Sequence, residues 1–318
     1  MTMEFAAATA VPAVWQPQAV REAYLLKRRW GSGGTYVSGG TLLRTRWEPG
    51  LERMPSHLIH LGAVRGIAGV KPMPDRLAVG SQTTLAACGS EPLLRETFPL
   101  LAEAARAIAS PSVRQLATLG GNVMSAIGDA LPALLLYDAE LVWFGKDGYR
   151  TEPLAAWLKR RSVPAEDPHE LLAHIHLPCA AAARHSEDSP PAQQAGRRPK
   201  RFAAYRKVGR REAFTPSVVT VAVSGELAAD GRYYGVRLAA GGGQTRPDRF
   251  GRLEQWLEGR PAETGTLAAL HELLMEQFEP QPDAFADAAY RKRTAAHLIT
   301  AMLWQAALPA GEEEAACS

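Results

Sequence analysis

The sequence predicts an α+β protein of two domains, and three observations carry that reading. At 318 residues the chain is longer than one ordinary hydrophobic core organises. Residues 181–200 hold Ser, Asp, Pro, Gln, Gly and Arg with almost no large apolar side chain, which is the composition of a linker. On either side of it, stretches of helical period are interleaved with short β-prone runs, and no repeat that would indicate a solenoid is present.

Taken in order, residues 17–30 predict a helix. Pro17 suits a first turn, Val20, Tyr24 and Leu25 fall on one face, and the glycine-rich residues 31–34 end it. Residues 35–43 read as a short strand breaking into a glycine turn, and 58–61 and 77–79 as further short strands. A small-residue helix opens over 83–88, and 98–109 continue in helical style. A second glycine turn spans 118–125, a helix covers 131–136 around Pro132, and 140–144 form a strand that leads to a hairpin turn at Asp147-Gly148. Beyond the linker, 202–208, 217–224 and 233–240 are predicted strands, with 241–243 closing the last. Residues 249–257, 266–278 and 284–304 are predicted helices, the last with Leu298, Met302 and Leu303 on its apolar face. The acidic tail over 311–318 is expected to fray.

Composition narrows the function classes. With 36 basic and 33 acidic residues the net charge is only +3, which gives no general reason to expect nucleic acid. Basic residues cluster at 27–29, 197–201, 207–211 and 291–293. These read as solvated faces or, more sharply, as partner docking surfaces or a hold on phosphates. Three cysteines, Cys88, Cys179 and Cys317, lie far apart with no CxxC spacing, so this chain alone cannot supply four local thiolates to an iron–sulfur cluster. A disulfide framework is not expected either, and reduced cysteines point to the cytoplasm. The most apolar stretch, 130–144, is interrupted by Asp138 and Glu140, so no membrane span is expected, and no secretory signal is read at the N-terminus. His174 and His176 read as core or surface groups.

The chemistry sits in the two glycine turns. The first is Val37-Ser38-Gly39-Gly40-Thr41-Leu42-Leu43, and the second is Thr118-Leu119-Gly120-Gly121-Asn122-Val123. Paired glycines let backbone N–H groups converge with no Cβ in the way, and Ser and Thr add hydroxyl donors. Together they could wrap a pyrophosphate without a basic side chain; taken singly, each is an ordinary turn. No GK[ST] or GxGxxG spacing is present, so neither a Walker loop nor a Rossmann dinucleotide site is supported.

These residues resemble a known family, the FAD-binding subunits of molybdopterin dehydrogenases. VSGGTLL is similar to their first flavin motif, usually AGGTDLL, and TLGGN to their second, usually TIGGN. The likeness continues in order. Pro111-Ser112-Val113-Arg114-Gln115 resembles the P-x-V-R-N stretch, and Gly128-Asp129-Ala130-Leu131-Pro132-Ala133-Leu134 the D-x-P-A-L-L segment. Tyr205-Arg206-Lys207-Val208-Gly209-Arg210-Arg211 resembles the Y-x-K-x-x-R-R element, and Tyr290-Arg291-Lys292-Arg293 the closing Y-R-R helix. The separate-subunit xanthine dehydrogenase branch is the nearest in pattern.

The resemblance implies a fold of the vanillyl-alcohol-oxidase/PCMH type. It implies an FAD-binding domain over 1–180 with lobes 1–62 and 63–180, the linker 181–200, and a smaller α+β domain over 201–310. Carried over residue by residue, Val37, Ser38, Gly39, Gly40, Thr41, Leu42 and Leu43 would hold the pyrophosphate by backbone amides. Thr118, Gly120, Gly121 and Asn122 would hold it from the other lobe. Asp129 would bond the cofactor's polar end, Ile108 and Leu172 would pack on flavin or adenine, and Arg206 or Lys207 would stand near the isoalloxazine. Departures fall at Leu42, where an acidic or polar residue is usual, at Thr215, where Asp is frequent, and in a shortened stretch from Asn122 to Asp129. The resemblance implies an electron-transfer subunit serving purine catabolism. A large molybdopterin-binding partner and a small [2Fe-2S] partner would hold the other centres, and NAD is one possible acceptor. Rival readings are a cofactor-free scaffold subunit and a stand-alone flavin oxidoreductase of the same fold.

Overall fold

A computed structural model describes residues 11–160, 166–179, 199–209 and 217–308. Most of the linker, the tail, Arg210, Arg211, Thr215 and Cys317 lie outside the described residues.

The first lobe holds β1 (Ala13–Trp15), α1 (Val20–Trp30), β2 (Gly34–Val37), α2 (Thr41–Trp47) and β3 (His57–His60). Its strands form a parallel sheet in the order β1-β3-β2. Helix α1 buries Val20, Ala23 and Tyr24, an i, i+3, i+4 set. Leu25, expected on that face, is instead 49% exposed, because a residue one step from Tyr24 is rotated by about 100° from it. Residues 41–43 begin helix α2 rather than continuing a turn, because Gly40 takes φ +66° and Arg44 N–H bonds back to its carbonyl. Helix α2 buries none of its side chains.

The second lobe contains β4 (Val70–Pro72), β5 (Arg76–Gly80), α3 (Leu85–Ser90), α4 (Pro92–Thr97), α5 (Pro99–Ala107), α6 (Pro111–Leu116), α7 (Leu119–Met124) and α8 (Leu131–Leu136). It continues with β6 (Glu140–Gly145), β7 (Gly148–Pro153), α9 (Leu154–Arg160) and β8 (Leu171–Pro178). The five strands pair antiparallel in the order β4-β5-β8-β6-β7. The hairpin at Asp147-Gly148 forms, with Gly145 opposite Gly148 and φ +95° at Gly148. The expected turn over 118–125 is instead the short helix α7. Thr118 caps it by accepting the Gly121 N–H, which overrides the poor helix propensity of two glycines.

The C-terminal unit is an antiparallel sheet, β12-β11-β10-β9, from β9 (Lys200–Gly209), β10 (Ser217–Leu227), β11 (Tyr233–Gly242) and β12 (Thr245–Arg249). Helices α10 (Gly251–Leu257), α11 (Thr264–Gln277) and α12 (Ala288–Ala307) complete it. Strand β10 is covered on both faces, so its sequence reads as an apolar run. Val219, Val221 and Val223 join the core under the helices, while Ala222 joins the second-lobe core with Ala239 and Tyr205. In α12, Ala295, Ile299, Met302, Leu303 and Ala306 are buried; Leu298 packs only at the margin. Helix α8 is apolar all round, and all six of its residues are buried between the second lobe and strands β10, β11 and β12. Each of its leucines contributes about 1.5–3 kcal/mol by burial. The second lobe and the C-terminal unit therefore share one continuous core, with charged pairs at its margin.

Candidate functional site

The two glycine turns, distant in sequence and on different lobes, meet. A Cβ on Gly39 would lie 1.9 Å from the Leu116 carbonyl oxygen and 3.0 Å from the Ala117 nitrogen, so only glycine lets the first turn rest on the chain entering the second. Gln82 Nε2 donates to Ser38 Oγ at 2.6 Å across the same junction. Val37, Ser38, Gly39, Gly40, Thr41 and Leu43 are half-buried, and Leu42 is 41% exposed.

The turns differ in what they offer. None of the N–H groups from Gly39 to Leu43 donates to an acceptor among the described residues, as expected where a helix begins. The second turn has spent its amides. Leu119 N–H donates to Thr83 O and Gly120 N–H to Ser81 O, each at 2.9 Å, while Gly121 N–H donates to Thr118 Oγ1 and Asn122 N–H to Thr118 O, each at 3.0 Å. The expectation that Gly120 and Gly121 lend amides to a ligand therefore changes. What remains is the Thr118 hydroxyl proton and the Asn122 Nδ2 group. Asn122 Oδ1 accepts from Ala130 N–H at 3.2 Å, and a Cβ on Gly128 would fall 2.2 Å from that oxygen. This clasp is how the shortened stretch to Asp129 closes.

Asp129 lies at the seam with the C-terminal sheet. Its carboxylate pairs with Lys207 Nζ at 2.9 Å and accepts from Ser217 Oγ, and its carbonyl accepts from the Tyr205 hydroxyl at 2.9 Å. Lys207, its side chain 10% exposed, also donates to Ala107 O at 3.3 Å, next to Ile108. By strand alternation Tyr205 and Lys207 share a face, and Arg206 starts from the other. Arg206 reaches Glu103 at 3.4 Å from a half-exposed position. Burial raises the Glu103 carboxyl above its ordinary range and pushes the Tyr205 phenol well above its own, aided by the Asp129 charge, so Tyr205 stays a neutral donor. Ile108 ends α5 and Leu172 lies on β8 beside Trp143; both are buried in one core cluster, Ile108 at 8% exposure and Leu172 at 4%.

Sequence reasoning missed Gln82 and Ser217. Gln82 stands in the polar run 81–84, one glycine beyond the predicted strand 77–79, a position that offers a signal. Ser217 carries no such signal, since alternation with Val219 would point it into the helix-side core. A bulge between Ser217 and Val219 turns it toward Asp129 instead.

A flavin dinucleotide fits this arrangement. An anionic diphosphate suits a glycine cradle with unengaged amides. Residues 5–180 match the family described as the FAD binding domain in molybdopterin dehydrogenase, and residues 203–306 match the CO dehydrogenase flavoprotein C-terminal domain. The chain belongs to the FAD-binding oxidoreductase subunits of the molybdopterin dehydrogenases, and FAD is its cofactor. Among similar proteins, the xanthine dehydrogenase FAD-binding subunit of Escherichia coli O157:H7 is 26% identical over 249 residues, 77% of this chain and 78% of that one. The carbon monoxide dehydrogenase medium chain of Hydrogenophaga pseudoflava is 29% identical over 167 residues, 52% of this chain and 58% of that one. The fold is shared with carbon monoxide dehydrogenase from Hydrogenophaga pseudoflava, with TM-score 0.79, 23% identity, and coverage of 93% of this chain and 97% of that one. It is shared equally with quinoline 2-oxidoreductase from Pseudomonas putida 86, with TM-score 0.79, 20% identity, and coverage of 94% and 98%. Among the described residues no helix is long and apolar enough to cross a membrane.

Proposed function

We propose that this chain is the electron exit of a xanthine dehydrogenase-like molybdenum hydroxylase working in the cytoplasm on a purine. A large molybdopterin-binding subunit would oxidise the substrate, a small [2Fe-2S] subunit would relay single electrons, and this chain would hand them on in pairs to NAD or another acceptor. Bound FAD supplies the chemistry that joins one-electron carriers to a two-electron acceptor.

The observation that carries this reading is the row of unengaged amides from Gly39 to Leu43, set against the Thr118 and Asn122 side chains of the other lobe. Those amides, with Val37 and Ser38, bind the diphosphate. Ile108 and Leu172 belong to the apolar wall behind the rings. Asp129 holds Lys207 at the seam, and Arg206 or Lys207 stands near the isoalloxazine, where a cation favours the more negative redox state of a bound flavin. Likeness to the xanthine dehydrogenase subunit over 249 residues supports the purine assignment.

The test is an absorption spectrum of the purified chain with release and identification of its flavin, followed by co-expression with the neighbouring reading frames and assay with xanthine and NAD. A yellow protein yielding stoichiometric FAD, and a complex that reduces NAD with xanthine, are expected. A colourless chain that also refuses added FAD overturns the reading in favour of a scaffold subunit. A flavin-loaded complex inert toward xanthine removes the purine assignment alone.

A further inference from the structure

Gln82 is outside both glycine motifs, yet its backbone is fixed from several sides. Its own N–H donates to Ile67 O at 2.8 Å, while Ser81 N–H donates to Ala173 O and Ser81 O accepts from Gly120 N–H, each at 2.9 Å. From this anchored position on the second lobe the side chain crosses to the first and donates to Ser38 Oγ at 2.6 Å. Beside it the Gly39 backbone rests on Leu116, so the two lobes touch here through one bare backbone contact and one side-chain hydrogen bond. Ser38 itself directly precedes the unengaged amides that begin at Gly39.

A hydroxyl has one proton to donate and two lone pairs to accept with. Because Gln82 donates to Ser38 Oγ, the Ser38 proton must point elsewhere. It has no acceptor among the described residues. An amide-fixed serine adjoining a row of free N–H groups is an additional donor for an anion.

From this geometry we infer that Gln82 is a positioning residue of the cofactor site. It sets the spacing between the two halves of the diphosphate cradle and holds Ser38 as a hydrogen-bond donor to the diphosphate. The inference rests on the FAD reading above and names a determinant of it outside the two motifs. Losing one positioned donor to a charged group predicts about tenfold weaker binding.

The experiment titrates FAD, and ADP as the diphosphate fragment, into flavin-stripped full-length wild type, Gln82→Ala, Gln82→Glu, Ser38→Ala and the double variant Gln82→Ala/Ser38→Ala. Thermal melting of each stripped protein is followed in parallel. Gln82→Ala and Ser38→Ala should each raise the Kd of FAD and ADP about tenfold. The double variant should be no weaker than either single one, because the two side chains act as a unit. Gln82→Glu keeps the length but accepts the Ser38 proton and adds a negative charge, so it should bind more weakly than Gln82→Ala. A merely structural Gln82 would lower the melting temperature of the stripped protein without this order of affinities. Unchanged affinity in Gln82→Ala, or additive losses in the double variant, overturns the inference while leaving FAD binding intact. A wild type that takes up no FAD overturns the cofactor reading and this one together.

Discussion

At Gly39 one methyl group separates a cradle from a clash. The atom a Cβ would meet is the Leu116 carbonyl oxygen at 1.9 Å, part of the backbone, which cannot swing aside as a side-chain end can. Gly39→Ala must push the lobes apart, at a cost near the upper end of the roughly 1–3 kcal/mol typical of overpacking, and FAD should be lost with the spacing. Gly121 belongs to the other pair, but its Cβ would meet only Thr118 Oγ1 at 3.2 Å and it is solvent-exposed. Gly121→Ala should cost less than about 1 kcal/mol and leave flavin content unchanged. Flavin-to-protein ratio and melting temperature of the two variants check the contrast; equal behaviour would mean that the Leu116 contact does not set the lobe spacing. The sequence presents the two pairs as equivalents, since the demand on Gly39 comes from a neighbour far along the chain. In the same way Arg206 and Lys207 are alternatives on paper, and strand alternation separates them only once β9 has a face turned to Asp129.

At the level of elements, apolar period made most helices and the long C-terminal strands legible, while short segments depended on caps and tertiary cover. Helix α7 is the clearest case, because its two glycines read as a turn until Thr118 closes the first helical bond. Thr118→Ala should cost about 1 kcal/mol and Thr118→Ser much less, by thermal or urea unfolding. Strand β8 carries no clear strand signal in the sequence, since its alternation is blurred by burial on both faces and two histidines interrupt it. Those histidines carry a pH signature. Burial lowers the pKa of His174, with its bond to Gly66 O opposing, and burial followed by the Arg76 charge lowers that of His176. A histidine whose folded pKa is depressed binds fewer protons folded than unfolded. Its contribution to stability is therefore complete above the ordinary value of about 6.5 and is lost as the pH falls through the folded value. Melting temperature should decline from pH 7 toward pH 5, and His174→Gln/His176→Gln should flatten that slope whatever its absolute stability. An unchanged slope would assign the decline to other groups.

Across the whole molecule, the order of elements was readable because each unit is locally consistent, but the way the units lock was not. Part of the lock is built from residues outside every motif. Asp138, in the turn after α8, pairs with Arg237 of β11 at 2.9 Å and with Arg249 of β12 at 2.6 Å. Arg249 keeps a second partner in Glu254 at 2.8 Å. Arg237 does not have that reserve. Its side chain is 11% exposed, burial lowers its pKa with the Asp138 charge opposing, and its other bond is to the Leu136 carbonyl. Asp138 sits at φ +49°, a conformation that Asn also tolerates, so Asp138→Asn removes the charge and leaves the turn intact. The variant removes the charge that offsets the burial of Arg237, and because Asp138 is partly exposed the loss should be about 1 kcal/mol. Because the loss falls between the units and not inside either core, calorimetry should show the C-terminal sheet melting ahead of the flavin lobes. The two lobes should keep their FAD until the second transition. A single transition lowered as a block would instead mean that α8, buried against three strands of the sheet, welds the units together without help from the Asp138 pair.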